Sequence, residues 1–310
     1  MATDPDELAR TARLLNEVFG HEDPLTVASL RWYYDENPVA AAAVGRVEED
    51  DRRLGNYALV PQVYADPAGE ERVLGVGVDL AVDPDARGSG AFRRTVEDAY
   101  ARGTAAGFDG ILGVANANSA PRMVATLGWR ALDPLPVTLL PPAGRPTGFV
   151  TSEATDAYLD GPGYDRATAG GFVLADAPGF APRWTPDALR WRLRRPGHRY
   201  WLHHDDDLVV VSTATRMSGV PFGVVLLVLA RRPLEAPVPS GRVAALVART
   251  HRTPMVVHWG RNPWMRVRGV RLPQERMPSP LSLVLHPFSD DFDPSSFELS
   301  TLEFLDFDAY

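Results

Sequence analysis

One stretch constrains the fold of this chain more than any other: Val78-Asp79-Leu80-Ala81-Val82-Asp83-Pro84-Asp85-Ala86-Arg87-Gly88-Ser89-Gly90-Ala91-Phe92. An apolar, strand-like run (Val73–Val82) passes through a glycine-bearing turn into a helix, on which Phe92, Val96, Ala99/Tyr100 and Ala106 share one face until Gly107 stops it. Such a turn is physically an anion cradle. Its glycines let the backbone bend tightly, the N–H groups of the first helical turn point outward unpaired, and the positive end of the helix dipole lies there. A pyrophosphate is a natural guest, although a plain strand-to-helix turn needs similar residues.

The rest of the periodicity gives an α/β chain. A first helix is predicted over Pro5–Phe19, where Leu8, Ala12, Leu15 and Phe19 recur behind an Asp4/Asp6 cap, and a second over Leu25–Tyr34, ending before Asn37-Pro38. Strand-like runs follow at Ala40–Val47, Asn56–Val63 and Val73–Val82. Beyond the glycine turn come a strand at Gly110–Val114, a short helix begun by Ser119 and Pro121 and closed by Gly128, and a strand-like Val137–Leu140. Proline and glycine thicken at Pro141–Pro146 and again at Gly161–Gly171, which read as a linker and a long connection. The second half echoes the first: Leu189-Arg190-Trp191 answers Leu30-Arg31-Trp32, Pro196 answers Pro38, and Asn262 stands before Gly269-Val270-Arg271 as Asn118 stands before Gly128-Trp129-Arg130. A tandem duplication is expected on these matches.

Composition removes several chemistries. The 310 residues contain no cysteine, which excludes disulfides, thiol nucleophiles and Cys-ligated metal centres, and all 32 basic residues are arginine, which excludes Schiff-base and Walker-type lysines. The arginine-only usage, beside abundant Ala, Asp, Gly, Pro and Val, fits the codon bias of a GC-rich bacterial genome. No apolar run approaches a membrane span, and the N-terminus lacks a basic and an apolar signal region, so a cytoplasmic location is expected. The net charge of -8 argues against nucleic-acid binding by the whole chain. It is unevenly spread: 183–276 carries 17 arginines against 6 acids, which reads as a solvated surface or a site for an anionic partner.

The segment Arg87-Gly88-Ser89-Gly90-Ala91-Phe92 resembles the acetyl-CoA-binding motif of the GNAT acyltransferase superfamily, Arg/Gln-x-x-Gly-x-Gly/Ala opening a helix after the fourth strand. Phe92 departs from the commoner Gly or Ala. Asn116-Ala117-Asn118-Ser119 and Gly128-Trp129 resemble the downstream Asn…Gly-Phe ending, and the resemblance covers about residues 5–142. It implies two GNAT-like domains, each a mixed central sheet flanked by helices: an acyl-CoA-binding domain over 1–143 and a degenerate copy over 144–310. It further implies that Leu80, Ala81 and Val82 pair with the pantetheine arm of acetyl-CoA or another acyl-CoA. The amides of Arg87, Gly88, Ser89, Gly90, Ala91, Phe92 and Arg93 would hold the pyrophosphate, with Asn118 beside them. Asp79, on the same strand, is the candidate general base, its alternative being a carboxylate that pairs an arginine or caps a turn. Asn116 is the second catalytic candidate, and Tyr33, Tyr34, Asp35 and Glu36 fall where the acceptor wall is expected.

A departure accompanies these matches. Counting seven residues from Asn118, where many relatives carry a thiolate-protonating tyrosine, gives Ala125. In the second half Ala230-Arg231-Arg232-Pro233 replaces the glycine turn, and proline removes an amide where a phosphate cradle needs one. His203-His204-Asp205-Asp206-Asp207 lies between strand-like runs and reads as a polar hairpin; no metal is assigned. His251 and His258 read as structural. The alternation in Phe304–Tyr310 predicts a half-buried terminal strand, or else a carboxylate reaching a site. The expected activity is transfer of an acetyl or short acyl group from CoA to the amine of a small molecule. Two rivals stay open, a Fem-type transferase using aminoacyl-tRNA and a non-catalytic CoA-binding protein.

Overall fold

A computed structural model describes residues 3–20, 24–115, 120–217, 219–273 and 282–307. The chain divides into two compact units, one made of 1–64, 71–132 and 283–296, the other of 65–70, 133–282 and 297–310.

Local chemistry sets the first elements. Helix α1 (Pro5–Phe19) starts where the Asp4 side chain accepts the Asp6 amide, and it ends at Gly20 in the left-handed region. Leu8, Ala12 and Leu15 are buried as the spacing predicts, whereas Phe19 is exposed. Helix α2 (Val27–Asp35) begins two residues later than predicted because Thr26 and Ser29 form a reciprocal cap, and the side chain of Asn16 holds the Leu25 amide outside the helix. Strands β1 (Ala43–Glu49), β2 (Arg52–Ala65) and β3 (Glu71–Val82) follow, then α3 (Ala91–Ala105), β4 (Gly110–Ala115), α4 (Ala120–Leu127) and β5 (Arg130–Ala131). On α3 the buried positions are Ala91, Thr95, Val96, Ala99 and Gly103, so Phe92 stands on the exposed side rather than on the apolar face predicted for it. A Cβ at Gly45 would strike the α3 backbone at Thr95 and Ala99, so the missing side chain lets α3 lie directly on β1.

The main elements that follow are β6 (Val137–Leu140), β7 (Val150–Glu153), α5 (Asp156–Leu159), α6 (Pro162–Thr168), α7 (Pro186–Leu193), β8 (Trp201–His204), β9 (Leu208–Met217), β10 (Val220–Ala230), α8 (Ser240–His251), β11 (Val256–Arg261), β12 (Val270–Leu272), β13 (Ser282–Pro287) and β14 (Leu302–Glu303), with two-residue strands at Ala181–Pro182, Val238–Pro239 and Met265–Arg266 besides. Gly161–Gly171, predicted as a connection, contains α6: Gly161 caps it and Pro162 takes its first position, where a missing amide costs nothing. The predicted terminal strand is shorter and earlier, since β14 is followed at once by a 3-10 turn over Phe304–Asp306 with Phe304, Leu305 and Phe307 all buried. Residues 308–310, including Tyr310, lie outside the described residues.

The first sheet runs β1-β2-β3-β4-β13-β5 and the second β12-β6-β11-β10-β9-β8-β7, with β14 added against β11. In each, a helix links two parallel strands, α3 between β3 and β4, α8 between β10 and β11. The fold is thus two α/β units of the same plan. Each sheet borrows one strand across the expected 143/144 boundary. β6, placed by the sequence in the first domain, lies in the second sheet between β12 and β11. β13, placed in the second domain, lies in the first sheet between β4 and β5.

Candidate active site

The first unit opens a fork in its sheet. β3 and β4 pair from Leu74–Gly110 to Gly77–Gly113, and among the described residues the ladder stops there while β3 continues through Val82. Asp79 marks the divergence. Its φ is +56°, a left-handed backbone on a non-glycine residue in the middle of a strand, a local conformation that must be held by its surroundings. Asn56 and Tyr34 hold it: Asn56 Nδ2 donates to the Asp79 carbonyl oxygen at 3.1 Å and to the Tyr34 hydroxyl at 3.3 Å, and that hydroxyl donates to Asp79 Oδ2 at 2.7 Å. Asn56 is fully buried and Tyr34 is 1% exposed. Burial, and then the adjacent Asp79 charge, push the Tyr34 phenol well above its ordinary value, so it stays a neutral donor. Asp79 itself is half-buried.

The neighbouring candidates divide. Tyr33 is buried, stacked on Trp32 at 5.1 Å and beside Tyr34 at 6.5 Å, so its ring faces the core more than a cleft. Glu36 is exposed at the end of α2, and Asp35 receives the backbone amide and the hydroxyl of Thr3. Leu80 packs on the cluster under α3 and Val82 on the one containing Ala86 and Ala91, while Ala81 is buried.

Past the fork, Asp83 accepts the Asp85 amide and pairs with Arg52 at 2.6 Å, fixing a short 3-10 turn over Pro84–Ala86. Arg87 leaves it in extended backbone. Gly88 and Gly90 then take φ of +87° and +81°, and Gly90 caps α3 without any side chain to occupy the first-turn amides. A Cβ at either glycine would meet nothing within 4 Å, so the turn borders open space of the kind a phosphate group requires. Ser89 Oγ donates back to the Ala86 carbonyl at 2.8 Å. Arg93 is exposed and paired with Glu97 at 2.6 Å, Arg87 is exposed, and Phe92 is 39% exposed. Ala125 is exposed on α4 and offers only a methyl group. Asn116 and Asn118 lie outside the described residues.

The second unit builds the same fork and fills it with its own chain. β10 and β11 pair from Gly223–Val256 to Val225–His258, and β10 continues to Ala230. Into that opening comes β14, paired with β11 at Gly260–Glu303 and Arg261–Leu302. The fully buried Glu303 side chain accepts the Val228 amide (2.9 Å) and Asn262 Nδ2 (2.7 Å) on Oε2, and its Oε1 is hydrogen-bonded to His258 Nε2 (2.8 Å). Asn262 Nδ2 also donates to the Val228 carbonyl at 2.7 Å. Strand groups at this fork, among them the amide and carbonyl of Val228, are thus satisfied by side chains of the same unit. Glu303 and Asn56 were not singled out from the sequence, since neither sits in a local motif and their partners are 75 and 23 residues away.

Other sequence features resolve into structure. The His203–Asp207 segment is a hairpin, β8 and β9 joined with His204 opposite Val209. Within the arginine-rich 183–276, Arg190, Arg194, Arg199, Arg232, Arg242 and Arg261 form ion pairs with Asp165, Asp160, Glu153, Asp207, Asp205 and Asp133. Among the described residues no group of three or more His, Asp or Glu could hold a metal ion, and no helix is long and apolar enough to cross a membrane.

Solved structures share this architecture. A GCN5-related N-acetyltransferase from Anabaena variabilis superposes with a TM-score of 0.59 over 93% of this chain and 72% of its own, at 9% identity. A probable N-acyltransferase from Enterococcus faecalis, a conserved protein of unknown function, gives 0.58 over 92% and 71% at 10% identity. Eis1 from Mycobacterium abscessus gives 0.55 over 92% and 72% at 11% identity. No protein-family profile and no curated protein sequence matches the chain. At these identities the likeness is one of fold: two units of the GCN5-related N-acetyltransferase plan in one polypeptide.

Proposed function

We propose that this protein is an acyltransferase that moves an acetyl or other short acyl group from CoA to the amine of a small molecule, and that the first unit does the work. The observation that carries this reading is the contrast between the two forks, one leading to an open glycine turn at Gly88–Gly90, the other filled by Glu303. In the proposal the strand groups of Leu80, Ala81 and Val82 take the pantetheine arm, and the amides of Gly88 and of Gly90 to Arg93 take the pyrophosphate with charge added by Arg87, while the Arg87 and Ser89 amides hold the turn through the Pro84 and Ala86 carbonyls. Asn116 and Asn118 enter it on the family resemblance alone.

The CoA thioester supplies an activated carbonyl carbon. The chain must then remove a proton from the ammonium form of the acceptor, and Asp79 is the carboxylate at the divergence of the strands with a fixed orientation for that task. As the nitrogen bonds to the acyl carbon, the carbon–sulfur bond breaks, the electron pair leaves with sulfur, and the nitrogen releases its second proton to solvent. Ala125 has no proton to give, so the fairly acidic thiol departs as thiolate and is protonated by solvent. Glu36, exposed at the end of α2, belongs to the acceptor side. The reaction is placed in the cytoplasm, where CoA esters are available.

Calorimetry with acetyl-CoA tests the reading. One equivalent should bind per chain, and Gly90→Val should weaken binding more than tenfold by filling the cradle and straining a positive-φ position. Gly69→Val, also at positive φ with open space around it, is the control and should leave affinity unchanged. Thiol release is then followed with amino sugars, polyamines and amino acids. Release only with aminoacyl-tRNA assigns the Fem-type chemistry, and binding without release to any acceptor assigns a CoA-binding protein.

A further inference from the structure

The polar groups behind the fork form a directed chain. Asn56 Nδ2 can only donate, so the Tyr34 oxygen accepts from it, and the Tyr34 hydrogen is directed onto Asp79 Oδ2. Asn56 also grips the Asp79 main chain, and its grip is at the one residue of β3 whose φ is +56°. Strand β2 and helix α2 thus reach the same residue from two sides, one at its backbone and one at its carboxylate.

We propose that Tyr34 and Asn56 are positioning residues for Asp79, Asn56 setting its left-handed backbone in β3 and Tyr34 setting the plane and basicity of the carboxylate. The inference rests on the acyltransferase reading only for the task of Asp79; the positioning itself is stated of the chain alone. It moves Tyr34 from the acceptor wall to the layer behind it, where 1% exposure leaves no surface for an acceptor. The ionisable groups acting on the Tyr34 hydroxyl include Asp79 and, more weakly, Tyr33 from the same helix; Asn56, from β2, acts as a neutral donor.

A phenol that hydrogen-bonds a carboxylate favours its charged form, so removing it must raise the pH at which that carboxyl titrates. The test uses the full chain carrying 13C-labelled aspartate, with the Asp79 carbon assigned by its loss in Asp79→Asn. In Tyr34→Phe the Asp79 carboxyl should titrate at least about half a pH unit higher than in the unaltered chain, with acetyl-CoA affinity within about twofold. With acetyl-CoA and whichever amine of the panel reacts, kcat should fall about tenfold, KM for the amine should move less, and the acid limb of the profile should shift upward with the carboxyl. Asn56→Ala should reproduce the loss in kcat, and Asn56→Gln should not rescue it, because the amide no longer reaches both partners. An unmoved Asp79 titration in Tyr34→Phe overturns the proposal even if the melting temperature drops. If Asp79→Asn retains more than about a third of the activity, the base assignment fails separately, and the titration arm still decides whether Tyr34 tunes the carboxyl.

Discussion

A histidine pair, His203 buried and His251 half-buried, shows how single residues set the response of the second unit to pH. His203 is hydrogen-bonded through Nδ1 to Thr151 Oγ1 at 2.9 Å and through Nε2 to Ser212 Oγ at 2.8 Å, and Ser212 Oγ lies 2.8 Å from His251 Nε2. Burial, aided by His251, pushes His203 down to about 3, and burial pushes His251 down to about 4. In the unfolded chain both titrate near 6.5, so between there and about 4 the unfolded chain binds more protons; stability from this pair is full above pH 6.5 and is lost as pH falls. Asp306, pushed up to about 7 by burial, works in the opposite sense, holding a proton in the fold that the unfolded chain has released. Two histidines outweigh one carboxyl, so the melting temperature should drop between pH 7 and pH 5. The drop should be shallower in the His203→Gln/His251→Gln double variant; parallel curves for the two proteins would refute the assignment. At this scale the sequence marks Asp79 and the glycine turn as candidates, because each sits in a local strand–turn–helix pattern. It concealed the roles of Tyr34 and Asn56, whose meaning depends on contacts 45 and 23 residues away.

Among the elements, β14 distinguishes the two forks most sharply. Its Glu303 satisfies the Val228 amide, Asn262 and His258 at once, and the ring of Trp259 packs against Phe304 and Phe307 just beyond it. Replacing Glu303 with alanine would leave the buried Val228 amide and His258 Nε2 without this acceptor, at a cost of about 2–5 kcal/mol, while Asn262 keeps the Val228 carbonyl. Glu303→Gln keeps an acceptor for Val228 and should cost less. Denaturant midpoints measure both, and an alanine variant as stable as the parent would mean that water replaces the carboxylate without loss. Helices and strands of the first unit were legible because caps and apolar spacing are local signals, as at Asp4 and Leu8. The Gly161–Gly171 stretch misled for the same reason: a helix of seven residues with Pro162 at its start carries more turn chemistry than periodicity. Phe304–Tyr310 alternated like a strand, yet the tertiary contacts of three buried apolar residues wind Phe304–Asp306 into a turn.

On the scale of the whole molecule, the exchange of β6 and β13 was invisible to any reading of local pattern, because an apolar strand records that it will pair and not with what. Its consequence for dissection is direct. A fragment ending at residue 143 lacks the strand that lies between β4 and β5, and it keeps β6 without its neighbours β11 and β12. Fragments 1–143 and 144–310 produced separately should each fail to show a cooperative thermal transition, whereas co-expressed they should copurify; a cooperative transition in 1–143 alone would show the borrowed strand to be dispensable.

The same exchange dictates a timetable during synthesis. β4 emerges from the ribosome long before β13, and at about 5–20 residues per second the interval to the end of β13 at Pro287 is roughly 10–30 s. Through that interval the nascent first sheet carries an unsatisfied edge on β4, the kind of edge that recruits strands from other chains. Crowded polysomes and slow translation should therefore lower the yield of this protein more than its final stability would suggest, and chaperone supply should restore it.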